Sequence, residues 1–327
     1  MDEAVRDDDW NDPGWRAAAD AWTTDRLAAL GTPVIGPIER FRVRPWSVTH
    51  RAPTTAGPRW FKANVTGCRY EAALAVALTG IAPGMTLAPL ATDTARGWLL
   101  TADAGPTLRA TTTAANRIAT WTRMLTAYAE LQRSTAPHGA DLLALGVPDQ
   151  RPHTLPATLE ALLDDPRIRK DVDPAVRDLI PEFGEWCAEL AADGIPATIQ
   201  HDDLHDDNVF DAPSRADQGG GLRFFDWGDA GVAHPFGSLL VALNVMHDTF
   251  GGAQDLPYLR DAYLEPWTGL ASPATLRRSV TLACRVARVS RAAAWRRALR
   301  HAAVPVDDQF RAAPAAWLNE LPTPTTV

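Results

Sequence analysis

The stretch IQHDDLHDDNVF, residues 199–210, is followed by LRFFDWGDA, residues 222–230. In the first, His201, Asp203 and Asn208 form the pattern His-x-Asp-x-x-x-x-Asn; in the second, Asp226-Trp227-Gly228 begins eighteen residues beyond Asn208. Short apolar runs at 197–200 and 222–225 read as strands on either side, with DQGGG at 217–221 as the turn between strands. A loop carboxylate, a short amide oxygen five residues later and a second carboxylate on the next turn suit phosphoryl transfer. That chemistry needs a group to orient the attacking hydroxyl, oxygen ligands for Mg²⁺ and cations on the phosphates. Either motif alone is a weak signal. Both together, in order and bracketed by strands, are a strong one.

Working outward, residues 37–63 break into three short apolar runs split by Pro45, Pro53, Gly57 and Pro58, which predicts three antiparallel strands. A helix is predicted over 67–79, then two strands near 86–91 and 96–101. Lys62 ends the third strand after Trp60 and Phe61, and Glu71 lies on the next helix, so an ammonium–carboxylate pair is expected between them. Beyond Gly105 the chain turns helical. Ile118, Trp121, Leu125 and Tyr128 mark one face of a helix over 113–134, and further helices are predicted near 156–164, 174–193, 237–250, 256–265 and 274–300. Another helix precedes the strands over 15–30. The expected organisation is an acidic segment and helix at 1–33, a small nucleotide-binding lobe at 34–103 and a larger helical lobe at 104–327. The fold class is α+β.

These motifs resemble those of the aminoglycoside phosphotransferase and choline-kinase-like family of small-molecule kinases. That family's loop is similar to His201-Asp202-Asp203-Leu204-His205-Asp206-Asp207-Asn208, and its metal turn to Phe225-Asp226-Trp227-Gly228-Asp229. The resemblance implies a two-lobed, protein-kinase-like fold, a small-molecule hydroxyl as acceptor, and ATP and Mg²⁺ as cofactors. It implies Asp203 as catalytic base, Asn208 and Asp226 as Mg²⁺ ligands, and Lys62 on the phosphates with Glu71 orienting it. The segment TADAG, 101–105, is then the hinge that meets the base of the nucleotide, through Thr101 and Asp103. The hairpin at 42–48 has no glycine, so Ser47 or backbone N–H groups would meet the phosphates. Two departures stand out. Residue 202 is Asp where the family has Gly, and Ser238 stands where an aspartate would brace the catalytic loop.

Five aspartates crowd 202–211, and Asp206 and Asp207 are expected to face the acceptor and favour a cationic one. The arginines of 277–300 read as a solvated face pairing with an acidic surface. His201 and His205 are expected to brace the loop. The rival reading, a metal-dependent phosphohydrolase on His201, Asp203 and His205, leaves Asn208, Asp226 and Lys62 without a role. A regulatory pseudoenzyme is disfavoured by the intact acids. A protein kinase is disfavoured because only about ten residues separate Asp226 from the next helix and no Ala-Pro-Glu follows. The net charge of −8 argues against nucleic-acid partners. No apolar run is long enough for a membrane span, and MDEAVRDDDW lacks the basic and apolar parts of a signal peptide. Three scattered cysteines read as reduced thiols, so a cytoplasmic protein is expected.

Overall fold

The computed structural model describes residues 9–212 and 221–325. Most of the acidic terminus and residues 217–220 of the expected turn lie outside them. The N-terminal part contains α1 (Pro13–Ala29), β1 (Glu39–Val43), β2 (Ser47–Ala52), β3 (Arg59–Asn64), α2 (Glu71–Ile81), β4 (Pro89–Asp93) and β5 (Trp98–Ala102). The C-terminal part begins with α3 (Leu108–Thr111), α4 (Arg117–Thr135), α5 (Gly139–Ala144), β6 (Asp149–Gln150), α6 (Leu155–Leu163), α7 (Pro166–Arg169), α8 (Ala175–Asp178), α9 (Ile180–Ala192) and β7 (Thr198–Gln200). It continues with β8 (Val209–Ala212), β9 (Gly221–Phe224), β10 (Gly231–Ala233), α10 (Leu239–Phe250), α11 (Leu256–Leu264), α12 (Pro273–Arg300) and α13 (Asp308–Asn319).

The N-terminal sheet has the order β1-β2-β3-β5-β4, all antiparallel. Its alternation sorts two faces. Val48, Phe61, Trp98 and Leu100 turn toward α1, where Trp22 and Trp15 meet Phe61 and Trp98 edge to face. The other face follows from register: Ser47 lies opposite Asn64, Thr49 opposite Lys62, and Trp60 opposite Thr101. This face looks onto the cleft and α2. From residue 9 on, the described chain is anchored. Trp10 is fully buried with its indole N–H on Arg44 O, and Asp12 caps α1 by accepting from Trp15 N at 2.6 Å.

Some boundaries differ from the sequence reading. The predicted 67–79 helix is a short 3-10 turn at Thr66–Cys68 followed by α2. The predicted 174–193 helix is two, α8 and α9, because Pro181 lacks an N–H and restarts the helix. The strands β6, β8 and β10 are too short to show periodicity, and the helix α13 has no counterpart among the predicted elements. The C-terminal core gathers α4, α6, α9, α10, α11 and α12. The end of α12 leaves it: Ala298 and Ala303 pack into the N-terminal core, and Ala303 N donates to Pro45 O at 2.8 Å.

Candidate active site

The antiparallel β8–β9 pair sets the two motifs side by side, with Val209 opposite Phe224. Phe225 N donates to Asn208 O at 3.2 Å, and the His201 ring donates through Nε2 to Phe225 O at 2.8 Å. The 201–208 loop and the 225–229 turn are therefore one hydrogen-bonded unit. His201 is fully buried, and burial lowers its basicity, which suits a neutral ring that holds backbone. Its Nε2 is taken by the Phe225 carbonyl, and among the described residues no group of three His, Cys, Asp or Glu side chains is placed to hold a metal together.

The missing bracing aspartate is replaced by phenol and amide chemistry. The Tyr128 hydroxyl accepts from His201 N at 2.8 Å. Gln132 donates to Ile199 O, Pro235 O and Ser238 Oγ at 3.0–3.1 Å, and Ser238 Oγ donates to Tyr128 at 3.5 Å. Asp202 has φ 63°, a left-handed conformation that Asp adopts at some strain. Its carboxyl is buried, with Oδ1 on Gln200 and Oδ2 without a partner. Burial pushes it up to about 7 against the pull of Arg291.

Lys62 reaches from β3 to Glu71 at 2.6 and 2.8 Å and to Asp226 Oδ1 at 2.6 Å. Burial works against the ammonium, but the Asp226 and Glu71 carboxylates outweigh it and hold Lys62 above the usual lysine range. Glu71 also accepts from Asn64 Nδ2 at 2.5 Å and Trp227 N at 3.0 Å, which fixes it between strand and metal turn. Burial raises the Glu71 carboxyl, the second acid on a single ammonium. Asp226 is itself left-handed, φ 66°, and Lys62 holds its carboxyl below the usual range against burial. Tyr70, beside Glu71, donates to Gly228 O at 2.5 Å, and Arg297 of α12 bonds Tyr70 Oη and Asp229 O at 3.1 and 3.2 Å.

Asp203 lies across from this group. Asn208 Nδ2 donates to Asp203 O at 2.9 Å and to Oδ2 at 3.2 Å. Arg291 of α12 places Nη2 on Asp203 Oδ1 and Nη1 on Asp229 Oδ2, both at 2.6 Å. Burial alone would raise Asp203, but Arg291, helped by His205, holds it well below the usual carboxylate range. A cavity of about 190 Å³ opens here, lined by Trp46, Asp203, Asp226, Asp229, Arg291 and Trp295 among others. The donor set suits Mg²⁺. Asn208 is turned by its amide nitrogen so that Oδ1 is available, Lys62 takes only one oxygen of Asp226, and both ligands are hard oxygens.

Comparison with protein-family models gave no match, and no curated protein sequence matches the chain. Solved structures do. A choline/ethanolamine kinase family protein from Mesorhizobium loti is 21% identical, with a TM-score of 0.60 over 93% of this chain and 94% of that one. A macrolide 2'-phosphotransferase from Brachybacterium faecium is 17% identical, with a TM-score of 0.54 over 91% of this chain and 98% of that one. Aminoglycoside 2'-phosphotransferase-IIIa, solved as its GDP complex, is 14% identical, with a TM-score of 0.59 over 92% and 97%. The fold is that of the small-molecule kinases.

In this kinase-like frame the remaining predicted residues divide. Ser47 and Thr101 lie on the cleft face of the sheet by register, with Thr101 8% exposed. Asp103 is exposed and accepts from Gly105 N at 2.9 Å, shaping the linker between the lobes. Asp206 turns inward. It is fully buried and paired with Arg109 at 2.6 Å, and Asp207 accepts from Thr107 Oγ1 at 2.7 Å, just beyond that linker. Asp211 pairs with Arg123. Arg109 of α3 thus neutralises Asp206 and Arg123 of α4 pairs with Asp211, while Asp207 is exposed, meets only a hydroxyl and keeps its charge.

The arginines of α12 also divide. Arg277, Arg278 and Arg296 pair outward with Asp261, Glu189 and Asp165 at 2.6–3.0 Å, as a solvated face would. Arg291 and Arg297 instead enter the site, which corrects the reading of the helix as solvated throughout. A signal was present. Val280, Cys284, Ala287, Ala294 and Ala298 form a buried row, and Arg291 falls in it where an apolar residue belongs.

Proposed function

We propose that the chain is a phosphotransferase that moves the γ-phosphate of ATP to a hydroxyl of a small molecule. The observation that carries this is the convergence of Lys62, Glu71 and Asp226 on one side of the cleft with Asp203 and Asn208 on the other. The N-terminal lobe, 34–103, takes the nucleotide under its cleft face. Lys62 meets its phosphates, Ser47 and the hairpin close over them, and the 101–105 linker with Thr101 and Asp103 meets the base. Asn208 and Asp226 would hold Mg²⁺, which when bound neutralises charge on the transferring phosphate. Asp203 orients the acceptor hydroxyl in line with that phosphate and accepts its proton as the bond forms. A carboxylate already paired with Arg291 is a weak base, so orientation is its larger contribution.

The acceptor enters beside Asp203, where the cavity of about 190 Å³ favours a compact alcohol or one ring of a larger molecule. Asp206 is taken by Arg109, which leaves the exposed Asp207 as the loop carboxylate able to meet an amino group of the acceptor, and the net charge of −8 does not call for nucleic acid. Three free, buried cysteines fit a reducing compartment, and among the described residues no helix is long and apolar enough to cross a membrane. The test is ADP or GDP release with ATP or GTP and a panel of amino sugars, aminoglycosides, choline-like alcohols and neutral sugars. One acceptor should raise release above the rate with water, and Asp203→Asn should abolish the increase. Absence of nucleotide cleavage across the panel, by a protein that also fails to bind MgATP or MgGTP, would overturn the reading.

A further inference from the structure

We propose that Arg291 is a positioning residue that sets Asp203 for the transfer step, an assignment that rests on the phosphotransferase reading. Arg291 is the charged member of a buried row on α12, 6% exposed. A guanidinium loses its hydration there and is tolerated only when paired. Its pairing is divided between two loops. Nη2 takes Asp203 Oδ1 and Nη1 takes Asp229 Oδ2, three residues beyond Asp226. The second oxygen of Asp203 is met by Asn208 Nδ2 at 3.2 Å and approached by His205 Nε2 at 3.5 Å. Both oxygens are therefore held, and the carboxylate has one orientation in place of several staggered ones.

The geometry does more than tie a helix to a loop. Because the guanidinium is rigid and planar, it fixes Asp203 relative to the turn that carries Asp226. The hydroxyl-orienting group and the metal-binding group are thereby set at one spacing by a residue from the far end of the chain. A lysine could hold one carboxylate at a time, with no fixed angle between them. A packing role would lower stability alone. A positioning role lowers kcat while leaving nucleotide binding in place.

The test compares wild type with Arg291→Ala, Arg291→Lys and Asp229→Asn. In crystal structures, Asp203 is expected to leave its rotamer in R291A. A carboxylate still within about 0.5 Å of its wild-type place overturns the proposal. If R291A does not fold, R291K carries the same comparison. In nucleotide cleavage, with an acceptor or with water, R291A should lose about 10²-fold in kcat while KM for nucleotide moves less than about threefold. R291K should recover part of the loss, and D229N should lose less than R291A because Nη2 keeps Asp203. An unchanged kcat in R291A, or a loss confined to KM, overturns the assignment. Wild-type protein that cleaves no nucleotide would sink the phosphotransferase reading, and the crystallographic comparison still decides on Arg291.

Discussion

Two adjacent aspartates meet opposite fates: Asp202 is buried, and Asp203 keeps 31% of its side chain exposed. Asp203 has a guanidinium on one oxygen and stays ionised; Asp202 has one amide donor and an unpartnered oxygen, and burial pushes it up to about 7. Asp203→Asn should cut turnover by about 10²–10⁴-fold with nucleotide affinity little changed, read from steady-state rates and nucleotide titration. For Asp202 the sign is the reverse of a salt-bridged acid. Below about pH 4 both folded and unfolded chains hold its proton; between about pH 4 and 7 the unfolded chain releases it first. Wild-type stability should therefore fall over that window relative to Asp202→Asn, by of order 1–4 kcal/mol in urea unfolding. Parallel stability curves for the two proteins would show that Asp202 does not titrate this way. The loop residues were legible because their spacing is local: Asp203 to Asn208 is five positions. Arg291 was not, since it meets Asp203 across 88 positions and lies on a helix whose other arginines include the outward Arg277 and Arg278. Asp206 misled for a related reason. Its charge is visible in the sequence, and the Arg109 that cancels it lies 97 residues away.

At the scale of elements, α12 carries the link between the lobes. Its middle holds Asp203 and Asp229, its end holds Tyr70, and Trp295 meets Trp46 of the hairpin at 5.2 Å. The approach is close at one point. A Cβ on Gly67, just before α2, would lie 2.6 Å from Arg297 O and 2.9 Å from Arg297 Cγ. Gly67→Ala should therefore push α12 from α2 and cost about 1–3 kcal/mol. Gly80, on α2 with nothing within 4 Å of its absent Cβ, is the control: Gly80→Ala should gain up to about 1 kcal/mol. Denaturant melts of the two variants check both, and equal shifts would refute the close contact. The strand-helix-strand order and the long helices were readable because alternation and 3.6-residue periodicity survive in sequence. The strands β6 and β10 have two and three residues and exist through pairing with distant partners. Nothing local could mark them.

For the whole molecule, the decisive property is charge across the cleft. Lys62 faces Glu71 and Asp226, so two carboxylates share one ammonium, while Asp203 and Asp229 share Arg291. The cleft thus carries more acid than base before any ligand enters. A nucleotide triphosphate brings further negative charge, and bare ATP should be repelled unless a divalent cation accompanies it. On the proposed reading MgATP would reverse the balance, with Asn208 and Asp226 holding the cation and Lys62 the phosphates. A ligand that touches both lobes and binds only the folded state raises stability by RT ln(1 + [L]/Kd), about 2.7 kcal/mol at a hundredfold excess over Kd. MgATP should therefore raise Tm by a few degrees, since a chain of this size shifts by about 1–2 °C per kcal/mol. ATP with EDTA should raise it little, and MgCl₂ alone should do less than MgATP. In Lys62→Ala the MgATP shift should shrink, because the phosphates lose their cation. The variant should also start from a lower Tm, because Glu71 is left buried with only Asn64 and the Trp227 amide for partners. Thermal melts of both proteins under the four conditions read all of this at once. A wild-type shift that is the same with ATP–EDTA as with MgATP would remove Asn208 and Asp226 from the metal's shell, and with them the charge argument for the cleft.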